Sequence, residues 1–130
     1  MTLDQEPIQS VISFLESQPA IEMAILFGSF AHGAQTKNSD IDLAIAGAHN
    51  FSIEDRLSLV TEINKISCRE VDLVDLLRAK GAILFETMVN GTLLFCKNTA
   101  IRESLLKRMW REQDDDYRFS QKVLMQRISP

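Results

Sequence analysis

One hundred and thirty residues, 45% hydrophobic and 25% charged, are enough for one compact domain with a packed core. They exclude both a large multidomain machine and a disordered chain. Lys and Arg number 14 against 18 Asp and Glu, for a net charge of −4, the wrong sign for a protein that holds nucleic acid chiefly through its phosphates. Residues 1–98 carry −6 and residues 99–130 carry +2, so the tail is a chemically different segment. Met1 to Pro7 lacks the basic and apolar regions of a secretory signal, and no run nears the roughly 18 apolar residues of a membrane span. A cytoplasmic protein with no membrane partner and no direct nucleic-acid binding is therefore expected. Cys68 and Cys96 stand outside any C-x-x-C pair, which predicts reduced thiols with a packing role.

In chain order, Ile8, Val11, Ile12 and Leu15 recur at helical spacing after Pro7, predicting a helix over 7–18. Met23 to Phe27 is wholly apolar and stops at Gly28-Ser29, as a buried strand would. Asp40 to Ile45 reads as a second strand with acidic residues at i and i+2. Ser52, Glu54 and Asp55 open a helix that carries Ile53, Leu57, Val60, Ile63 and Ile66. Glu70 to Leu76 reads as a third strand, Arg78 to Val89 as a helix stopped by the C-cap signal Asn90-Gly91, and Thr92 to Cys96 as a last strand. From Thr99 one long helix follows, with Ile101, Leu105, Met109 and Trp110 as its apolar residues. The expected fold class is α/β: a small mixed sheet of about four strands with helices packed on it, plus a long C-terminal helix. The short connection between the first two strands favours direct antiparallel pairing over a purely parallel, doubly wound sheet. Residues 1–98 form the domain proper and 99–130 a helical extension of it.

The chemistry concentrates between Leu26 and Leu43. A buried strand ending in Gly28-Ser29 offers bare backbone N–H groups and a hydroxyl, a way of holding phosphate oxygens. Ten residues separate Ser29 from Asp40, and Asp42 follows two later. On a strand, these two carboxylates share a face at a spacing of about 6 to 7 Å. Beside Ile41, Leu43 and Ala44 they repel each other and are costly to desolvate. A divalent cation relieves that cost, and oxygen ligands of this kind suit Mg²⁺. The opposing reading is a plain turn at Gly28-Ser29 and a solvated strand edge.

Gly-Ser, ten residues, then Asp-x-Asp resembles the signature of the polymerase-β-type nucleotidyltransferases, and the small size resembles their minimal branch. The resemblance covers about residues 22–96. It implies a third carboxylate from a neighbouring strand, a position matched by Asp72 in Val71-Asp72-Leu73-Val74. It further implies that Gly28 and Ser29, with His32, hold a nucleotide triphosphate, that Asp40, Asp42 and Asp72 bind Mg²⁺, and that Asp72 helps deprotonate the attacking hydroxyl. Asp75, three residues beyond Asp72, points the other way on a strand and is expected to cap the next helix. Members of the branch often carry Arg near the phosphate loop. Phe30 and His32 stand there in this chain, which leaves His32, Lys37 or the metal to neutralise the triphosphate.

Among the minimal stand-alone proteins, the Phe-Gly-Ser-Phe-Ala-His-Gly opening and the long charged tail resemble the MntA-type antitoxins. That likeness implies a HEPN-domain ribonuclease toxin as partner, ATP as substrate and transfer of AMP to a toxin tyrosine. Two other readings stay open: the same chemistry on a small-molecule acceptor with a partner subunit, and an antitoxin that acts by binding alone. Asp114-Asp115-Asp116 reads as a solvated acidic patch.

Overall fold

The computed structural model describes residues 5–28 and 40–128, with side chains for 8–28 and 40–114. Its elements are α1 (Gln5–Ser17), β1 (Met23–Phe27), β2 (Ile41–Ala46), α2 (Ile53–Ser67), β3 (Val71–Asp75), α3 (Gly81–Asn90), β4 (Thr92–Cys96) and α4 (Thr99–Ile128). The strands form one sheet in the order β3-β2-β1-β4. β1 pairs antiparallel with β2 and β4, and β2 pairs parallel with β3. The sheet is thus mixed, as the short connection after β1 predicts.

β1 and β2 are the central strands, which explains their near-continuous apolar sequences: both of their faces are covered. Ala24, Leu26, Ile41, Leu43 and Ile45 meet Val11 and Leu15 of α1 and Leu59 and Ile63 of α2 in one core. On the other face Met23, Ile25, Ala44 and Ala46 meet Leu84 of α3 and Leu105 and Met109 of α4 in a second core. Alternate residues of one strand therefore serve different helix pairs.

Several sequence expectations shift. The buried stripe of α2 is Leu59, Ile63 and Ser67, while Ile53 and Leu57 are exposed at 67% and 61%, because at 3.6 residues per turn both lie to the side of that stripe. Ser52 caps α2 as expected, accepting from the Asp55 N–H at 3.0 Å. Cys68 does not pack inside. It is an exposed C-cap in the left-handed region (φ 55°), its N–H bonded to the Asn64 carbonyl at 2.8 Å.

Helix α3 starts at Gly81 rather than Arg78, because Asp75 organises the segment before it. This carboxylate, 3% exposed, accepts the Leu77 N–H at 3.1 Å and the Phe51 N–H at 2.9 Å. The N–H groups of Arg78 and Ala79 turn back to the Asp75 carbonyl. Asp75 thus binds a turn and the loop before α2 and does not cap α3, whose N-cap is Lys80 without a side-chain bond. Arg108 of α4 closes the same turn by donating to the carbonyls of Leu76, Leu77 and Ala79 at 2.6, 3.0 and 2.6 Å. Glu112 accepts from the Gly81 N–H at 2.9 Å. The described part of the tail is in this way built into the domain: Leu105 and Met109 are each 2% exposed, while Trp110 is left 62% exposed.

Gly91 ends α3 where the sequence places a C-cap, but with φ −75°. Its lack of a side chain answers crowding instead, since a Cβ there would overlap the Thr87 carbonyl and Ile25 Cγ2. Among the described residues no helix is long and apolar enough to cross a membrane.

Asp75→Ala strips two backbone donors of their acceptor, one of them in the buried loop at Phe51. The expected loss is about 3 kcal/mol of unfolding free energy, read as a lower urea midpoint at unchanged slope.

Candidate active site

β2 and β3 run in parallel with Asp42 opposite Asp72. On its other side, Asp42 is opposite Phe27, the last residue of β1. Alternation sends the Asp42 side chain to the face that carries Ala44 and Ala46, the face covered by α3 and α4. It sends Asp72 to the same face as Val74. The two carboxylates thus meet where the apolar cover of the sheet ends, at the strand edge reached by the C-terminus of β1.

Asp42 is half-buried and Asp72 exposed. Burial is the main cause that pushes the Asp42 pKa above the usual carboxylate range, followed by the charge of Asp72, a side-chain hydrogen bond with Asp72, and the charge of Asp40. Asp40 sits one residue before β2 and is exposed. The structure therefore brings Asp42 and Asp72 into contact and leaves Asp40 as a nearby like charge. Among the described residues no three His, Cys, Asp or Glu side chains are gathered closely enough to hold a metal.

Gly28 follows β1 with φ +71°, a left-handed conformation that favours glycine. A Cβ at this position would overlap the Asp42 carboxylate and crowd its Cγ at 3.0 Å. The glycine of the Gly-Ser pair is required for two reasons: it turns the chain out of the strand, and it leaves room for Asp42. Ser29, Phe30, His32 and Lys37 lie outside the described residues, as do the side chains of Asp115 and Asp116. Asp114, at the end of the described side chains, is exposed.

The chemistry of this donor set fits a divalent cation. Two carboxylates brought together against their mutual repulsion can be held by a hard cation. Sequence reasoning missed Phe27 as the residue opposite Asp42. The signal was the antiparallel pairing itself, which places the end of one strand opposite the start of the next. The hollow of about 400 Å³ lined by Phe14, Ile21, Phe51 and Leu59 lies on the opposite, α1–α2 face of the sheet and is not part of this site.

Because the folded state raises the Asp42 pKa, it binds more protons than the unfolded chain between the two values. The ionised carboxylate costs stability at neutral pH, and that cost is relieved as pH falls through the raised pKa. Asp42→Asn is accordingly expected to raise the melting temperature at pH 7 in chelator, with the gain shrinking toward zero near the ordinary Asp pKa of about 4. Added Mg²⁺ is expected to stabilise the parent chain and not the variant. Gly28→Ala is expected to cost about 1–2 kcal/mol from its backbone conformation alone and to displace Asp42, abolishing the Mg²⁺-dependent rise in melting temperature.

Comparison with known proteins agrees with this geometry. The family described as "Polymerase beta, Nucleotidyltransferase" matches residues 9–100. The protein adenylyltransferase MntA of Shewanella oneidensis is 29% identical over 106 residues, which span 82% of this chain and 66% of that relative. The fold is similar to that of a toxin–antitoxin crystal structure with AMP-PNP, at a TM-score of 0.74 and 24% identity over 98% of this chain and 100% of that one. It is likewise similar to a chain in the structure of tri-AMPylated Shewanella oneidensis HEPN toxin with MNT antitoxin, at a TM-score of 0.73 and 20% identity over the same shares. With the family match running through both central strands, the Asp42–Asp72 pair and β4, the chain belongs to the polymerase-β nucleotidyltransferase family.

Proposed function

We propose that this chain is a Mg²⁺-dependent protein adenylyltransferase that transfers AMP from ATP to a tyrosine of a cognate HEPN-domain ribonuclease toxin and thereby acts as its antitoxin. The observation that carries the reading is the Asp42–Asp72 pair held in register at the end of β1, with Gly28 cleared to make room for it. The names of the relatives support the choice of nucleotide and acceptor: one is a protein adenylyltransferase, and the related complexes contain AMP-PNP and an AMPylated HEPN toxin.

In this reading Gly28, Ser29 and His32 bind the triphosphate through backbone N–H groups, a hydroxyl and an imidazole. Asp40, Asp42 and Asp72 hold Mg²⁺, which when bound neutralises phosphate charge and aligns the phosphate oxygens. Asp72, the more exposed carboxylate of the pair, accepts the proton of the tyrosine hydroxyl. The tyrosine oxygen bonds to the α-phosphorus, the bond from that phosphorus to the bridging oxygen breaks, and pyrophosphate leaves. Fixed strands supply alignment, the larger part of catalysis in phosphoryl chemistry. The domain spans residues 1–98, and 99–130 is its helical extension, with Arg108 and Leu105 tying the two together.

The test is intact mass of a co-expressed neighbouring HEPN-domain protein after incubation with this chain, ATP and Mg²⁺. Mass gains of whole AMP units are expected, on tyrosine, and Asp42→Asn is expected to lower the rate by at least about 10³-fold while leaving the complex intact. A stable complex with no mass gain on any residue would overturn the reading.

A further inference from the structure

On the face of the sheet away from the carboxylate pair, the hollow of about 400 Å³ lies between the last turn of α1 and the first turns of α2. Its size is that of a small-molecule site. The floor is apolar, made of Phe14, Ile21, Phe51 and Leu59, the last three being 1%, 5% and 8% exposed. One wall is a stripe of α2 in which Asp55, Ser58, Leu59 and Glu62 follow one another at helical spacing. Two turns of helix set Asp55 and Glu62 about 10 Å apart along that wall. Both residues are exposed, and no donor among the described residues engages either carboxylate. A second hollow of about 260 Å³ continues the first and shares Ala20, Phe51 and Asp55 with it. Glu22, in the wall of this continuation, has a carboxylate oxygen, Oε2, that is shut from solvent and has no hydrogen-bond donor among the described residues. Among the described residues neither lining includes Lys or Arg. Lys97, at the end of α1, is occupied by the carbonyls of Glu16 and Gln18 at 2.7 and 3.2 Å. The result is an apolar, aromatic groove whose charges are all negative.

We propose that this groove binds a free linear polyamine, its methylene segments on the floor of Phe14, Phe51 and Leu59 and its ammonium groups at Asp55 and Glu62. The inference goes beyond the function proposed above and does not depend on it, since the groove uses none of Gly28, Asp42 and Asp72. Three features of the groove select this chemistry together. The floor gains from being covered by hydrocarbon, and its aromatic rings also attract ammonium groups. The carboxylates of the wall raise the local concentration of cations, and a donor beside the Glu22 oxygen relieves the cost of leaving it unpaired. The spacing of Asp55 and Glu62 is too long for one ammonium to serve both. A metal ion answers only the charge and leaves the apolar floor wet. A lysine presented by a protein answers the floor and one carboxylate, but not the second. A chain of methylenes with an ammonium at each end answers all three.

The test is calorimetric titration of spermidine into the full chain at low ionic strength, where saturable binding of one molecule per chain is expected. Asp55→Asn combined with Glu62→Gln is expected to weaken binding about tenfold. Glu54→Gln combined with Glu103→Gln removes the same charge outside the groove and is expected to change affinity by less than about twofold. Ser58→Phe keeps every charge and fills the groove from its exposed rim, so it is expected to abolish binding. The charge and the filling variants reach the groove by different means, and failure of one to fold leaves the other to decide. The amide of N-acetyl-lysine, with its single ammonium, is expected to bind at least about tenfold more weakly than spermidine. Absence of saturable binding to the parent chain overturns the proposal, and so does unchanged affinity in the Asp55/Glu62 variant. An equal loss in the Glu54/Glu103 variant reduces the effect to overall charge and overturns it as well. Undiminished binding to Ser58→Phe puts the amine outside the hollow. Equal affinity for the lysine amide removes the polyamine and assigns the groove to a side chain of a partner protein.

Discussion

Two carboxylates facing each other across parallel strands are the constraint around which this domain is arranged. Asp42 and Asp72 repel each other, and Asp42 is also desolvated by the sheet that carries it. Left to side-chain energetics alone, such a pair would move apart or protonate. The backbone prevents separation, since β2 and β3 are locked in register from Ile41 opposite Val71 to Ile45 opposite Asp75. The unfavourable proximity is thus stabilised by favourable pairing and burial elsewhere, and the same proximity makes the pair a receptive place for a divalent cation.

That register is held at the far end of β3. Asp75 is of the same residue type as Asp72 and only three positions away, yet it has the opposite role. Three donors surround it, the N–H groups of Phe51 and Leu77 and the Arg78 guanidinium at 3.7 Å. The turn it organises is gripped by Arg108 from α4. Asp75 is enclosed by donors within the fold, whereas Asp72 is left exposed opposite the half-buried Asp42. The long C-terminal helix therefore supports the strand that carries Asp72, while leaving Trp110 uncovered on its outer side.

Much of this was legible in the residues. The apolar run of β1, the Ser52 cap and the Gly-Ser to Asp-x-Asp spacing have local causes: burial on both faces, a single hydrogen bond, and strand alternation. The departures have tertiary causes. Ile53 and Leu57 are apolar residues of α2 that lie to the side of the Leu59–Ile63–Ser67 stripe and stay exposed, so apolar spacing alone overstated the buried face. Arg78 to Lys80 are compatible with helix, and were claimed instead by a turn around Asp75, a partner chosen by three-dimensional proximity. Cys68 reads as a core thiol and is an exposed cap, because the chain had to reverse there.

What the sequence determined by itself is the inventory and the alternation: which strands are apolar on both faces, and which positions carry carboxylates. These follow from the period-two geometry of a strand, which no partner can change. The tertiary structure decided which carboxylates meet. Nothing in the spacing of 42 and 72 sets them opposite each other, and that pairing depends on β3 docking in parallel beside β2 in one register out of several. It also decided that Gly28 closes on Asp42 and that Asp75 turns to the Phe51 and Leu77 N–H groups. Those properties belong to neighbours brought together by packing, and so they appear only once the chain is folded.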